Sequence, residues 1–409
     1  MPDRIDRLAV FLRDLGQAMH ISGMPTHDLE RHLNAVGQRF GVRVDCFAVL
    51  TMLTLKIATV DNAAQRVEML RLPLYDYNMA RLIALEQLIR TLDGPDSLGA
   101  CEVQLKEIMA TPPLWSGGPF IIFASLLSAS VAVLLRGGWT EMLCGGLVGL
   151  LFVSAHLALA RVPRLGPAAP VMLCALAAFG AHALSLLLPQ QTPFITAVAG
   201  VVLLLPGFTL TIAMSELATQ NLLAGSGRLA GVFVTLFMMG AGLVIGTQIG
   251  QQVLPAHPAG TLAPLPAWTI WPAIAVLGVS LLGVLQAPWR SVHILVGGCL
   301  LAWAVYSLVT AALGSVVGAF AGALAVATAG HLYHALTGQP DVLVKIPGLI
   351  ALVPGSMGLR GLHALIAQDN TVGIGLVTDM LLMGAVLAVG LLLADNVAPL
   401  LFERRRQAE

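Results

Sequence analysis

Charge is scarce in this chain. Only 11% of its 409 residues are Asp, Glu, Lys or Arg, against about 25% in a soluble globular protein, which argues against a large soluble enzyme. The 22 basic and 22 acidic residues cancel, so the electrostatic footprint of a nucleic-acid binder is missing. Cysteine is sparse too: Cys46, Cys101, Cys144, Cys174 and Cys299 form no CxxC pair, and three of them lie in apolar runs, where cysteine acts as a small hydrophobe. Neither a disulfide framework nor a zinc site follows from that spacing. There is no HExxH, GxSxG, Walker A or Rossmann glycine pattern, so no catalytic constellation and no cofactor are expected. The apolar run Leu8–Leu12 is too short for a secretory signal and ends at Arg13-Asp14.

What is present is apolar: 57% of the residues are hydrophobic and the mean hydropathy is +0.84. The few charges are unevenly spread. Residues 1–110 hold 12 of the 22 Lys and Arg and 14 of the 22 Asp and Glu. The pattern predicts a small polar α+β domain over 1–115, then a mainly α polytopic membrane domain in two units, 116–255 and 256–409.

In the first domain, Ile5, Leu8, Ala9, Leu12, Leu15 and Met19 recur at helical spacing, predicting an amphipathic helix over 3–21. Gly23 stops it. Thr26 reads as the N-cap of a second helix, with Asp28 and Glu30 in its first turn, that ends near Gly41. The Val-, Thr- and Leu-rich stretch 42–60 favours two short strands, and 76–91 and 97–109 read as further helices. His20, His27 and His32 read as surface histidines on helix faces.

A helix that crosses about 30 Å of hydrocarbon needs roughly 20 apolar residues. Ten candidates follow, at 119–135, 139–160, 168–188, 194–214, 229–250, 268–286, 291–309, 313–335, 346–366 and 372–398. The boundary between the seventh and eighth is marked only by Ala311-Ala-Leu-Gly314. The positive-inside rule places Arg161, Arg164, Arg228, Arg290, Lys345 and Arg404–Arg406 on the cytoplasmic side. Arg136 and Arg360 stay outside. Both termini are then cytoplasmic.

Two of these spans are broken. Pro347-Gly348 and Pro354-Gly355 interrupt the apolar stretch from Lys345 to Arg360, and Pro206-Gly207 interrupts the one from Leu203 to Thr211. Proline removes a backbone donor and clashes with the preceding turn, so backbone freed at membrane depth must face protein or a water-filled cavity. Gly207 and Gly355 are 148 residues apart, and the starts of the first and sixth spans differ by nearly as much. Five spans per copy is an odd number, so the second copy enters the membrane in the opposite sense. That predicts two five-helix inverted repeats, with a binding site at the paired breaks.

Ser22-Gly-Met-Pro-Thr-His-Asp-Leu-Glu30, the helix 76–90 and Ser97–Leu105 are similar to the first domain of the threonine/serine exporter family. Leu205-Pro-Gly207 with Ala224–Leu229 resembles the end of that family's first membrane unit, and Ile346–Ser356 resembles its second. The double Pro-Gly is the most specific of these motifs. The chain departs from the family at Thr211–Leu217, where an Asn-Ala-x-Arg-Asp type stretch is expected; Glu216 stands near the acidic position and the arginine is absent. The resemblance implies a secondary exporter of threonine, serine or a similar small polar amino acid, driven by protons across a bacterial inner membrane. A small dicarboxylate such as succinate is the alternative substrate. The expected partners are that small molecule and membrane lipid, with room for a homo-oligomer and none for nucleic acid.

Candidate site residues follow from the breaks. The free N–H groups at the start of a second half-helix suit a carboxylate, and the free carbonyls at the end of a first half-helix suit an ammonium or a coupling ion. The backbones of Pro206, Gly207, Pro354 and Gly355 would shape the site. Thr209, Thr211 and Ser356 are the nearest hydroxyls, available to substrate or bonded back to their own helices. Arg360 could pair with a substrate carboxylate or with Asp369. Ionisable residues inside spans are costly, which makes Asp379 the first candidate for proton coupling. Glu216 is the second, and a pair with Arg228 is its alternative role. Glu141 and Asp395 read as interfacial. His331 and His334 read as a helix-end pair, and His156 and His182 as buried and hydrogen-bonded.

Overall fold

A computed structural model describes residues 2–406, apart from 60–63, 74–75, 93, 95–96, 189, 256–263, 354 and 367. Pro354 therefore lies outside the described residues. The chain divides into two compact units. Unit 1 comprises Met1–Leu114, Glu216–Arg228 and Leu285–Pro288; unit 2 comprises Trp115–Ser215, Leu229–Val284 and Trp289–Glu409.

Unit 1 opens with α1 (Pro2–Ile21), whose Leu8, Phe11, Leu12, Leu15 and Met19 are all buried at the periodicity read from the sequence. Gly23 then adopts a φ of +94°, which only glycine takes without strain, and the chain turns into α2 (Thr26–Arg39). A second left-handed glycine, Gly41, leads into β1 (Val42–Val49). β2 (Met52–Thr59) and β3 (Gln65–Arg71) follow, pairing antiparallel in the order β1-β2-β3. β2 is central, and its Leu53, Leu55 and Ile57 are fully buried in the core formed with α1 and α2. α3 (Met79–Thr91) and α4 (Leu98–Ala110) complete the chain's first part.

Three expectations for this unit are corrected. β3 is an additional strand: its Val67 and Met69 are exposed on an edge, so the stretch lacks the buried alternation that marks β2. Thr26 is not the N-cap of α2; Pro25 is, and the Thr26 hydroxyl is used elsewhere. His20 is buried rather than on the surface. Burial holds its pKa below the ordinary histidine value, and the nearby positive charge of Arg228 acts in the same direction.

Unit 2 is helical. Its first part runs α5 (Gly118–Leu134), α6 (Trp139–Leu159), α7 (Ala169–Leu187), a short α8 (Pro193–Gly200), α9 (Gly207–Ala218, whose last residues belong to unit 1) and a long α10 (Leu222–Val253, whose residues up to Arg228 belong to unit 1). Its second part runs α11 (Ile270–Val284), α12 (Val292–Leu313), α13 (Ser315–Thr337), α14 (Val342–Leu352), α15 (Gly355–Ile366) and α16 (Asn370–Arg406). Each part is three helices, a broken pair and a long helix. Among the described residues, eight helices are long and apolar enough to cross a membrane, or nine if the broken pair α8–α9, bent by 51°, is one span. α5, with 17 residues, is apolar but shorter. The uncertain boundary between α12 and α13 falls at Gly314, where φ is +88°.

Close approach is built with glycine, as expected where lipid tails remove the hydrophobic drive between helices. Gly242, Gly246 and Gly250 line one face of α10 against α7: a Cβ on Gly246 would run into the Ala175 carbonyl oxygen, and one on Gly250 would sit 2.9 Å from His182 Cβ. Glu141, read as interfacial, lies in the first turn of a span. It is buried at the start of α6, accepting from the Gly138 N–H at 2.8 Å and the Thr192 N–H at 2.8 Å, which ties the α5–α6 turn to the start of α8.

Candidate functional site

The two breaks meet inside unit 2. α9 begins at Gly207 and α15 begins at Gly355. A Cβ placed on Gly207 would lie 2.9 Å from both Cα and N of Gly355, and one on Gly355 would lie 3.2 Å from Gly207 Cα. Val353, the residue that ends α14, packs on the same point.

This contact has a chemical consequence. The first-turn N–H groups of a helix have no acceptor within it, and its dipole places partial positive charge there. Two such ends meet at Gly207 and Gly355, with Val353 packed against them. Pro206 is half-buried and its carbonyl accepts from the Leu210 N–H at 3.0 Å, the first bond of α9.

The side chains around the contact differ in availability. Thr211 is buried, and its hydroxyl turns back toward the Gly207 carbonyl at 3.5 Å. Thr209 and Ser356 are half-buried, and neither hydroxyl has a hydrogen-bond partner among the described residues. Arg360 stands one turn beyond Ser356 on the same face of α15, as i and i+4 positions do. Its Nε is buried without a partner, and among the described residues it forms no ion pair to Asp369, which accepts from the Val372 N–H at 3.3 Å.

The other expected residues lie elsewhere. Asp379 is exposed on α16. Glu216 belongs to unit 1, is 1% exposed, and pairs with Arg228 through two bonds of 2.9 Å. The Thr26 hydroxyl donates to the same carboxylate at 2.8 Å. Asp395 bonds Lys345 and His331, each at 2.7 Å. His331 and His334 part company, since His334 bonds the Gln339 carbonyl at 2.8 Å. His182 reaches the Ala178 carbonyl at 3.0 Å, while His156 is half-buried and stacks on Phe152. Among the described residues no group of three or more His, Cys, Asp or Glu could hold a metal ion.

Comparison with known proteins agrees across both parts of the chain. A family model described as "Putative threonine/serine exporter" matches residues 10–250, and one described as "Threonine/Serine exporter, ThrE" matches 269–397. A Corynebacterium glutamicum protein named "Threonine/serine exporter" is 25% identical over 94% of this chain and 81% of its own length. A Mycobacterium tuberculosis protein named "Probable threonine/serine exporter" is 26% identical over 88% of this chain and 70% of its own length. No solved structure matches.

Proposed function

The chain belongs to the threonine/serine exporter family, and from that premise we propose that it exports threonine, serine or a similar small polar amino acid. The binding site is the crossing of the two broken helices. The observation that carries this reading is the contact of two half-helix N-termini at Gly207 and Gly355. A zwitterionic amino acid offers a carboxylate to those ends, and its ammonium suits the carbonyl ends of the preceding half-helices. Thr209 and Ser356 have hydroxyls free for a substrate hydroxyl, and Arg360 has a buried donor free for a carboxylate.

Its two parts, with a broken pair fourth in each, act as inverted repeats that rock about this crossing. Both termini face the cytoplasm, the membrane is the bacterial inner membrane, and the proton gradient drives export. Asp379 carries the coupling proton: a carboxylate on the exposed face of a membrane helix is costly when charged, so it favours a proton or cover by a second copy.

Efflux from cells loaded with a threonine-containing dipeptide, with and without the protein, tests the substrate. Threonine and serine efflux should rise with the protein. A rise in succinate efflux alone would instead favour the dicarboxylate reading, which the unpaired Arg360 also suits. Arg360→Gln is expected to raise the half-saturating substrate concentration about ten-fold, the worth of one charge-assisted bond; unchanged saturation would remove Arg360 from the site. Asp379→Asn should cut gradient-driven efflux about ten-fold with the protein still in the membrane, and full flux in that variant would sink the coupling role.

A further inference from the structure

A second set of charges in unit 2 is more elaborately built than the substrate site. Asp341 precedes α14, Lys345 lies in its first turn, His331 is on α13 and Asp395 is on α16. Lys345 Nζ bonds both Asp341 and Asp395, the latter at 2.7 Å. His331 Nε2 lies 2.7 Å from Asp395 Oδ1 and 3.2 Å from Lys345 Nζ, and its Nδ1 lies 3.7 Å from Asp341 Oδ2. The neighbouring Gly330 makes this possible. A Cβ there would lie 2.8 Å from Lys345 Cγ and 3.0 Å from the Asp341 carbonyl, so glycine lets the start of α14 lie directly on α13.

The charges do not balance with a neutral histidine. Two carboxylates and one ammonium leave a net −1, and one proton on His331 makes it zero. Neutral, the ring keeps its hydrogen on Nε2 and donates it to Asp395 at 2.7 Å, which leaves the Nδ1 lone pair facing Asp341 Oδ2 at 3.7 Å. A proton taken from water goes to Nδ1, where it faces that second carboxylate, and Lys345 stays with both carboxylates. From α16 the facing group is Asp395, and from α14 and its cap Lys345 and Asp341. α12 also packs on α13 but carries no Asp, Glu, Lys or Arg, and neither its His293 nor its Tyr306 contacts the ring among the described residues. The side chains are 11–26% exposed: open enough to exchange a proton, and buried enough for the net charge to matter.

We propose that His331, held between Asp395 and Asp341 beside Lys345, is a proton-binding site that sets the position of half-helix α14. This deepens, and rests on, the reading of unit 2 as a proton-driven exporter. α14 is the connecting rod: Lys345 is in its first turn, and Val353, eight residues or about 12 Å further on, packs at the Gly207–Gly355 crossing. α16 places Asp395 16 residues from Asp379, about 24 Å along the helix. One helix thus carries a titratable group toward each membrane face. With α13, α14 and α16 oriented as proposed, His331 is the cytoplasmic one.

Hydrogen–deuterium exchange of residues 342–352 in substrate-free proteoliposomes, between about pH 5 and 8, tests this without transport. After correction for intrinsic exchange, the wild-type segment should change protection with a one-proton midpoint, and His331→Gln should be flat. His331→Gln should also lose about ten-fold in gradient-driven threonine efflux while threonine counterflow persists. Asp341→Asn keeps the Lys345–Asp395 pair, so it guards against misfolding of the first variant; its midpoint should move to lower pH, because a carboxylate facing the imidazolium is lost. A pH response retained in His331→Gln, an unmoved midpoint in Asp341→Asn, or no response in the wild type overturns the proposal. If the wild type shows the response but moves no threonine, the exporter reading fails and the proton site stands.

Discussion

Replacing Gly207 by valine is expected to cut threonine efflux about ten-fold or more while leaving the protein in the membrane. The reason is contact, not backbone freedom. Gly207 is not in the left-handed region, but its Cβ position lies 2.9 Å from two backbone atoms of Gly355 and against Val353. A side chain can rotate away from a clash; the start of a helix cannot. Overpacking of this kind costs about 1–3 kcal/mol, and 1.4 kcal/mol is already a factor of ten, so a loss of about ten-fold or more is expected. Gly355→Ala, whose nearest contacts would be 3.2 and 3.3 Å, should lose less. Gly231→Ala, which would meet nothing within 4 Å, controls for the substitution itself. Efflux in Gly207→Val at the wild-type rate, normalised to protein in the membrane, would show that the crossing is not the transport site.

The crossing was legible in the sequence because proline and glycine act locally. Pro206-Gly207 and Pro354-Gly355 interrupt apolar runs whatever surrounds them, and their spacing suggests that they correspond. That the two backbones touch is a tertiary fact, and no spacing along the chain encodes it. The charged groups show the same divide. Asp341 lies in the short connector before α14 and carries no motif in the sequence, and His331 with His334 reads as a pair at i, i+3. In the fold His331 turns to α14 and α16 while His334 bonds its own helix end. The partners that define His331 are 14 and 64 residues away, beyond any helical period. β3 was hidden for another reason. Its outer residues Val67 and Met69 are apolar but exposed, and its inner ones include Glu68, so the alternation that marks a half-buried strand is reversed. Thr26 offered a correct residue type for an N-cap, yet its hydroxyl serves a carboxylate 190 residues away.

That carboxylate leads to the second large effect. Arg228→Ala is expected to destabilise unit 1 by about 3–5 kcal/mol, because it strands a buried charge. Glu216 and Arg228 are 1% and 4% exposed and joined by two parallel bonds of 2.9 Å. Thr26 adds a third bond to the carboxylate at 2.8 Å, and Asn221 reaches Thr26 at 3.4 Å. Removing the guanidinium leaves Glu216 with hydroxyl help alone. It must then ionise in a dry site, take up a proton, or pull the end of α9 out of the unit. Thr26→Ala removes only one neutral donor and should cost about 1 kcal/mol. The double replacement Glu216→Gln with Arg228→Met removes both charges and should recover much of the loss, since well-packed neutral groups often match a buried ion pair. Thermal unfolding of the purified wild type, Glu216→Gln, Arg228→Met and the double variant closes a cycle that gives the coupling between the two sites directly. Equal losses in Arg228→Ala and in the double variant would mean that the pair is solvated after all. A single-variant loss that the double variant repairs would show that the last turn of α9 is held in unit 1 by charge, through a threonine of the Gly-Met-Pro-Thr stretch.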